Sequence, residues 1–476
     1  MKKKFIRDIS ANTLQVIINQ VCGLVIFYLL STGLDKNNFG EINWTLAVFL
    51  TAFNILAFGM DQVAIKKIAT GIAPGKIFSL YAVHVLLTGI AFYAMLLVGR
   101  LVFTSFFLQH GLLLFLGIAK LLFYFSTPFK QIASGFEKFR LLVFMAICSN
   151  IFRGVALVII ALLNSLNLFN VVIIFIAGDL FELCCCYFIG KKILKIPMQI
   201  HWDKTAYKEM LLESLPQAGV GIFNAVIARL DWILLGILSS NIILAEYSFA
   251  NKVFEMATLP LLVIAPLLIP RITKIFQASG INSFAVNLND LLVLLKIEIL
   301  IASVAAMFLS ICWTPFIGWI THGKYGTVNQ HIIFILAASM PFLYFNNFLW
   351  TINFARGALK MIFRITFFTF CINVIANLIL IPYLQGEGSA IAYLIAIVFQ
   401  SYVYIKKATV QGMTTYGASY LLIPVFALVS TVSAHLLFQP WWLVLLASII
   451  LLIILLIITR QIKHTDWQLF KRVTGI

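Results

Sequence analysis

Charge is what this sequence has least of: 11% of its residues are Asp, Glu, Lys or Arg, and acids number 17 against 34 bases. A soluble domain carries about 25% charged residues, so water is not the main solvent of this chain. The seven cysteines are odd in number, and three of them are adjacent at Cys184, Cys185 and Cys186. They form no disulfide framework and show no metal-ligand spacing with histidine. Long polar loops are also missing. The longest outer connection, ITHGKYGTVNQ, is too short to hold an enzyme domain. The longest inner one, KKILKIPMQIHWDKTAYKE, offers Asp203 and Glu209 with no Gly-rich phosphate loop and no DxD-like cluster. Glycosyl transfer, ligation and ATP-driven pumping are therefore disfavoured, and no metal or cofactor is expected. No cleavable signal peptide is expected either, because MKKKFIRD leads into a segment carrying Asn12, Gln15, Asn19 and Gln20.

What the chain has in abundance is apolar sequence. Hydrophobic residues make up 62% of it and the mean hydropathy is +1.02. Each span needs about 20 apolar residues to cross a core of about 30 Å. The apolar stretches are continuous, which favours helices over barrel strands of about 10 alternating residues. Fourteen helices are predicted, near 10–31, 39–59, 77–98, 101–128, 141–163, 170–190, 212–238, 244–270, 288–311, 330–354, 361–382, 388–405, 416–437 and 440–459. Lys and Arg accumulate on the cytoplasmic side of short loops. With the N-terminus inside, the cytoplasmic segments hold 26 of them, including three in KQIASGFEKFR, and the outer loops hold Lys36, Arg100 and Lys324. Both termini are expected in the cytoplasm. The +17 net charge then reflects topology and calls for no nucleic acid.

The chain also repeats itself. YLLSTGLDKNNFGEINWTLAVF at 28–49 aligns without a gap to ILLGILSSNIILAEYSFANKVF at 233–254, and ASGFEK at 133–138 echoes ARGALK at 355–360. Such internal repeats are common in transporters. The expected architecture is an all-α polytopic membrane protein with two parallel six-helix lobes around a central cavity, 1–195 and 211–408. A cytoplasmic linker at 196–210 joins them, and two extra helices with a cytoplasmic tail occupy 409–476.

LDKNNFGEINWTLAVF resembles the first hairpin of the Wzx-type oligosaccharide flippases, in the superfamily that includes multidrug exporters and the lipid II flippase. So do RLDWILLGILSSNIILAEYSFANKVFEM, FIGWITHGKYGTVNQHIIFIL and NVIANLILIPYLQGEGSAIAYLIA. The resemblance implies export of polyprenyl-diphosphate-linked oligosaccharide from the inner to the outer leaflet of a bacterial inner membrane, by alternating access, for O-antigen, capsule or exopolysaccharide. Membrane lipids, a polysaccharide polymerase and a chain-length regulator are the implied partners. Two other readings compete: a cation-coupled small-molecule exporter of the same superfamily, and a non-transporting membrane partner of glycan biosynthesis. Mid-span arginines argue against the first and the two-lobe repeat against the second.

A diphosphate and a glycan crossing hydrocarbon need cations and polar groups, and ionised groups in mid-span cost roughly 2.5–3.5 kcal/mol or more. Lys120, Arg153, Arg229, Lys252 and Lys296 lie in spans, as do Asp179, Glu182, Asp231, Glu255 and Glu298. Arg229, Arg153, Lys120 and Lys252 are the candidate diphosphate-binding cations. Asp179, Glu182, Asp231 and Glu255 form either an ion-coupling site or a salt-bridge cluster, with Lys120 and Arg153 the obvious partners of the first two. At about 100° per residue, Arg229 and Asp231 point about 200° apart and cannot pair with each other. Arg229 is assigned to the cavity and Asp231 to a structural contact. Lys252 and Glu255, three apart, can pair. His84 is expected to be a hydrogen-bonded core residue. Pro260, Pro266 and Pro270 are a candidate bending element, and Trp313, Trp319, Trp350, Trp441 and Trp442 a candidate interfacial belt.

Overall fold

The structure, a computed structural model, describes residues 2–71, 73–197, 202–261, 284–407, 420–459 and 461. Its contacts divide the chain into two compact units, Met1–Gly236 with Ser240–Ala245, and Ile237–Ser239 with Glu246–Ile476. The regular structure of the described residues is helical in both. Pro266 and Pro270 of the expected bending element lie outside the described residues, as does most of the C-terminal tail.

The first unit comprises α1 (Lys2–Gly33), α2 (Lys36–Leu56), α3 (Met60–Ala69), α4 (Pro74–Val102), α5 (Thr104–Gln109), α6 (Leu112–Gly135), α7 (Phe139–Leu162), α8 (Leu168–Phe188) and nearly all of α9 (Lys204–Leu238). Short polar side chains set several of these starts. Asp35 accepts from the Asn38 N–H at 2.9 Å before α2, and Asn167 accepts from Asn170 before α8. Between α2 and α3 the chain leaves the helix at Phe58 and Gly59, whose φ angles are 51° and 70°. The fourth predicted span moves. A break around His110 delays α6 to Leu112, and the helix then continues to Gly135 rather than ending at 128. That shift puts Lys130 inside a helix and not in a loop.

The second unit comprises α10 (Asn241–Ala257, shared at its start), α11 (Phe284–Ile320), α12 (Gln330–Ala355), α13 (Leu359–Lys406), α14 (Leu422–Leu437) and α15 (Trp441–Ile458). α13 contains two predicted spans. The chain turns between them at Gln385 (φ 51°), and Gly388 comes so close that a Cβ there would lie 2.5 Å from the Leu380 carbonyl oxygen. The core gathers Leu295, Ile299, Phe345, Phe348, Ile365 and Tyr404, together with Ile423 and Leu452 of the two last helices.

Large apolar side chains also cover the outside: Leu87, Leu101, Val155, Leu162 and Phe169 in the first unit, Phe308, Phe368 and Ile457 in the second. Such a surface is stable only in lipid, where the backbone is satisfied within each helix. Among the described residues nine helices are long and apolar enough to cross a membrane, and Ile18–Gly33 and Leu422–Leu437 are shorter apolar ones. The protein is a multi-pass membrane protein.

The sequence repeat has a structural counterpart. Trp44 stacks on His110 with ring centroids 4.2 Å apart, and its repeat partner Phe249 stacks on Tyr325, also at 4.2 Å. The matched positions also make contacts, of different kinds: the Glu41 carboxylate accepts from the Leu112 N–H at 3.0 Å, and the Glu246 backbone carbonyl accepts from the Asn329 side-chain amide at 3.1 Å. The second echo shifts by two residues, since the left-handed residue closing α6 is Glu137 and the one closing α12 is Gly357.

Trp313 departs from the interfacial role expected of it. It is buried, with its indole N–H donating to Asn329 at 2.9 Å. Indole at a membrane surface keeps its N–H wet, whereas here a side-chain amide replaces the water. Trp319, Trp441 and Trp442 are exposed, and Trp350 stacks on Phe354.

Candidate functional site

The charged residues of the first unit converge between α6, α7 and α8. Asp179 and Glu182 are fully buried and three residues apart, so one face of α8 carries both carboxylates. Two like charges in hydrocarbon require cations, and three are supplied. Lys120 reaches Asp179 at 3.1 Å, Arg153 bonds the other oxygen of the same carboxylate, and Lys130 bonds Glu182. The hydroxyls of Ser126, at 3.0 Å, and Ser149 also donate to Glu182. Aromatic faces complete the cage: the Arg153 guanidinium lies 4.8 Å from the Phe175 ring centroid and the Lys130 ammonium 4.0 Å from that of Phe123. Gly178 makes room for this, because a Cβ there would stand 2.8 Å from Cγ of Arg153.

Lys120 and Arg153 are thus brought to Asp179 as anticipated, while Lys130 is a correction. The sequence places it among the cytoplasmic charges of KQIASGFEKFR, but it is buried because α6 runs further than its apolar stretch indicates. Its signal was Ser126, four residues earlier on the same helical face. Counting these five charged groups, the cluster holds one positive charge in excess. Lys120 differs from the others in lining a cavity in the same unit.

The remaining candidates are dispersed. Arg229 lies on α9 with its guanidinium 4.5 Å from the Trp232 ring centroid, and Asp231 accepts from the Trp232 backbone N–H at 2.9 Å. Lys252 pairs with Glu255 at 3.2 Å along α10. Lys296 is buried with its ammonium 5.7 Å from the Tyr420 ring centroid. Glu298 is buried as well, and among the described residues its Oε2 has no hydrogen-bond partner.

Both ends of α9 are fastened to the first unit. At its start, Lys76 pairs with Asp203 at 2.8 Å, and Lys66 and Lys67 pair with Glu213 at 3.0 and 2.7 Å. His84 is the core residue expected, and it ties the end of α2 to α9. Its Nε2 lies 2.8 Å from the Leu56 carbonyl, which the break after α2 leaves without a helical donor, and its Nδ1 lies 2.9 Å from the Tyr207 hydroxyl on α9. Near the other end, the Trp44 indole donates to the Ile233 carbonyl at 3.2 Å, and a Cβ on Gly236 would stand 2.0 Å from the same ring.

No curated protein sequence matches the chain. Among solved structures it is similar to the lipid II flippase MurJ in an inward closed conformation, with a TM-score of 0.72 at 12% identity over 98% of this chain and 99% of that one. An inward-facing multidrug resistance MATE family transporter of the MOP superfamily superposes with a TM-score of 0.65 at 12% identity, over 85% of this chain and 98% of that one. The Vibrio cholerae MATE transporter VcmN in its bent form gives 0.53 at 12% identity, over 88% and 98%. Identities this low speak for a shared fold alone. The model of the family described as "Polysaccharide biosynthesis protein" matches residues 5–276, more than half of the chain. The chain therefore belongs to the Wzx-type polysaccharide biosynthesis proteins, a family of transporters rather than enzymes, built on the fold shared by MurJ and the MATE transporters.

Proposed function

We propose that the protein moves polyprenyl-diphosphate-linked oligosaccharide units from the cytoplasmic to the outer leaflet of a bacterial inner membrane by alternating access, feeding O-antigen, capsule or exopolysaccharide assembly. The observation that carries this is the family match over residues 5–276, which joins polysaccharide biosynthesis to a transporter fold. The two six-helix halves, 1–195 and 211–408, are its moving parts, and both termini face the cytoplasm. A polymerase and a chain-length regulator act on the delivered units.

Within this reading the charges divide by role. Arg229 is the leading diphosphate-binding cation, because guanidinium presents a fork suited to phosphate oxygens. Lys120, bonded to Asp179 at 3.1 Å, is committed to the cluster although it keeps some exposure. Arg153, buried against Asp179, serves the cluster, and Lys252 is shared with Glu255. Asp179 and Glu182 act as a salt-bridge framework holding α8 to α6 and α7. Deleting the gene tests the function: surface glycan should disappear while lipid-linked repeat units accumulate in the inner leaflet. A strain in which those units are never made would put the protein upstream, in their synthesis.

A further inference from the structure

A cavity of about 280 Å³ lies in the first unit among α2, α3, α4 and α6. Its polar lining comes from Asn54, Asp61, Tyr81, Lys120, Thr127 and Gln131. Several of these groups have bonding capacity left. The Asn54 amide donates to Leu50 at 2.8 Å, leaving its carbonyl oxygen. Asp61 accepts only a 3.3 Å contact from Gln62 among the described bonds. Gln131 bonds none of the described residues, and it is only partly buried. The break at Phe58 and Gly59 creates this arrangement by starting α3 afresh and setting Asp61 in its first turn. One wall is aromatic, built from Phe49, Phe53, Phe123 and Tyr124.

The charges in this cavity select against ions of either sign. An anion would meet the Asp61 carboxylate, and an organic cation would meet Lys120, whose own charge is answered by Asp179. What suits a carboxylate, two amides and hydroxyls beside an aromatic wall is a neutral molecule dense in hydroxyl groups with an apolar face. The volume, about 280 Å³, falls just under the roughly 300–1,000 Å³ of small-molecule sites, which accommodates one ring and not a chain. We propose that this cavity is a sugar-binding subsite that holds one neutral ring of the lipid-linked oligosaccharide, its hydroxyls donating to Asp61 and Asn54 and bonding the Gln131 amide. This rests on the flippase reading above. Gln131 lies near the end of α6 that leads into the basic KQIASGFEKFR segment, so the subsite belongs to the loading side of the membrane.

The test is protection from alkylation. Gln131→Cys is introduced into a functional variant lacking the native cysteines, and its reaction with a maleimide is followed in inverted membrane vesicles. Two probes are compared: lipid-linked oligosaccharide extracted from the gene-deletion strain, and sugar-free polyprenyl diphosphate. The first should slow labelling about tenfold when present at roughly ten times its Kd, the second should not, and Lys138→Cys, exposed beyond the cavity, should respond to neither. Equal protection by the sugar-free carrier would make this a diphosphate site and overturn the proposal. Absence of protection by the glycan-bearing probe would also overturn it, while leaving the deletion phenotype and the flippase reading intact. If Gln131→Cys does not accumulate, Asn54→Cys takes its place with the same expected and overturning results.

Discussion

A buried charge has two fates, and the substitutions that separate them give opposite readouts. Glu182 answers Lys130 and accepts from Ser126 and Ser149. Glu182→Gln should lower thermal stability by about 3–5 kcal/mol, the cost of leaving a buried partner uncompensated. Detergent-solubilised protein should therefore melt earlier and accumulate less. A variant of normal abundance and melting temperature that no longer exports would reassign the pair to ion coupling. Arg229 is the reverse case, exposed in part and stacked on Trp232. Arg229→Gln should abolish surface glycan at near-normal abundance, and Arg229→Lys should restore part of it, because a point cation still attracts phosphate. Loss of protein with intact export per molecule would make Arg229 half of a structural contact.

At the scale of elements, the start of α9 joins local capping to long-range attachment. Asp203 caps the helix by accepting from the Ala206 N–H at 3.0 Å and also receives Lys76 from α4. Those two donors, the backbone one foremost, hold the Asp203 carboxyl below the usual carboxylate range. A group with a lowered pKa supports the folded arrangement above its unfolded value and stops doing so as pH falls through the lowered one. The protection factors of the first-turn amides of α9, in which the intrinsic pH dependence of exchange is divided out, should thus be flat from about pH 8 to 5 and fall below about pH 4. Asp203→Asn should remove that acid step. An acid step that persists in Asp203→Asn would instead assign the attachment to other groups, such as Glu213 with Lys66 and Lys67.

For the whole molecule the first question is orientation, and the partition of Lys and Arg makes a definite prediction. Cysteines at Lys36 and Lys324, in a background without native cysteines, should react with an impermeant maleimide in intact cells. Cysteines at Lys76 and Lys204 should stay unlabelled until the membrane is opened. Labelling of the Lys76 site in intact cells would invert the protein. The burial of Lys130 removes one residue from the cytoplasmic set, but 25 against three still leaves the expected direction unchanged.

The solvent, the helical class, the positions of the apolar runs and the repeat of Glu41 and Trp44 in Glu246 and Phe249 were all legible in the sequence. Each depends on local composition or on one segment compared with another. The pairing of Lys252 with Glu255 was legible for the same reason, since both lie on one face of one helix. The partners of Asp179 and Glu182 were narrowed by spacing but decided by packing. Lys130 reaches a carboxylate 52 residues away, and no count along the chain shows which faces of α6 and α8 meet. The same holds for Trp313, whose place at a span end suggested lipid headgroups until Asn329 claimed its N–H. The cavity was hidden altogether, because it needs the helix break at Phe58 to bring Asp61 into one lining with Gln131. Hydropathy is a sum over neighbours in sequence, so it determines where the chain crosses; the fate of each charge depends on distances between helices, which only the tertiary structure sets.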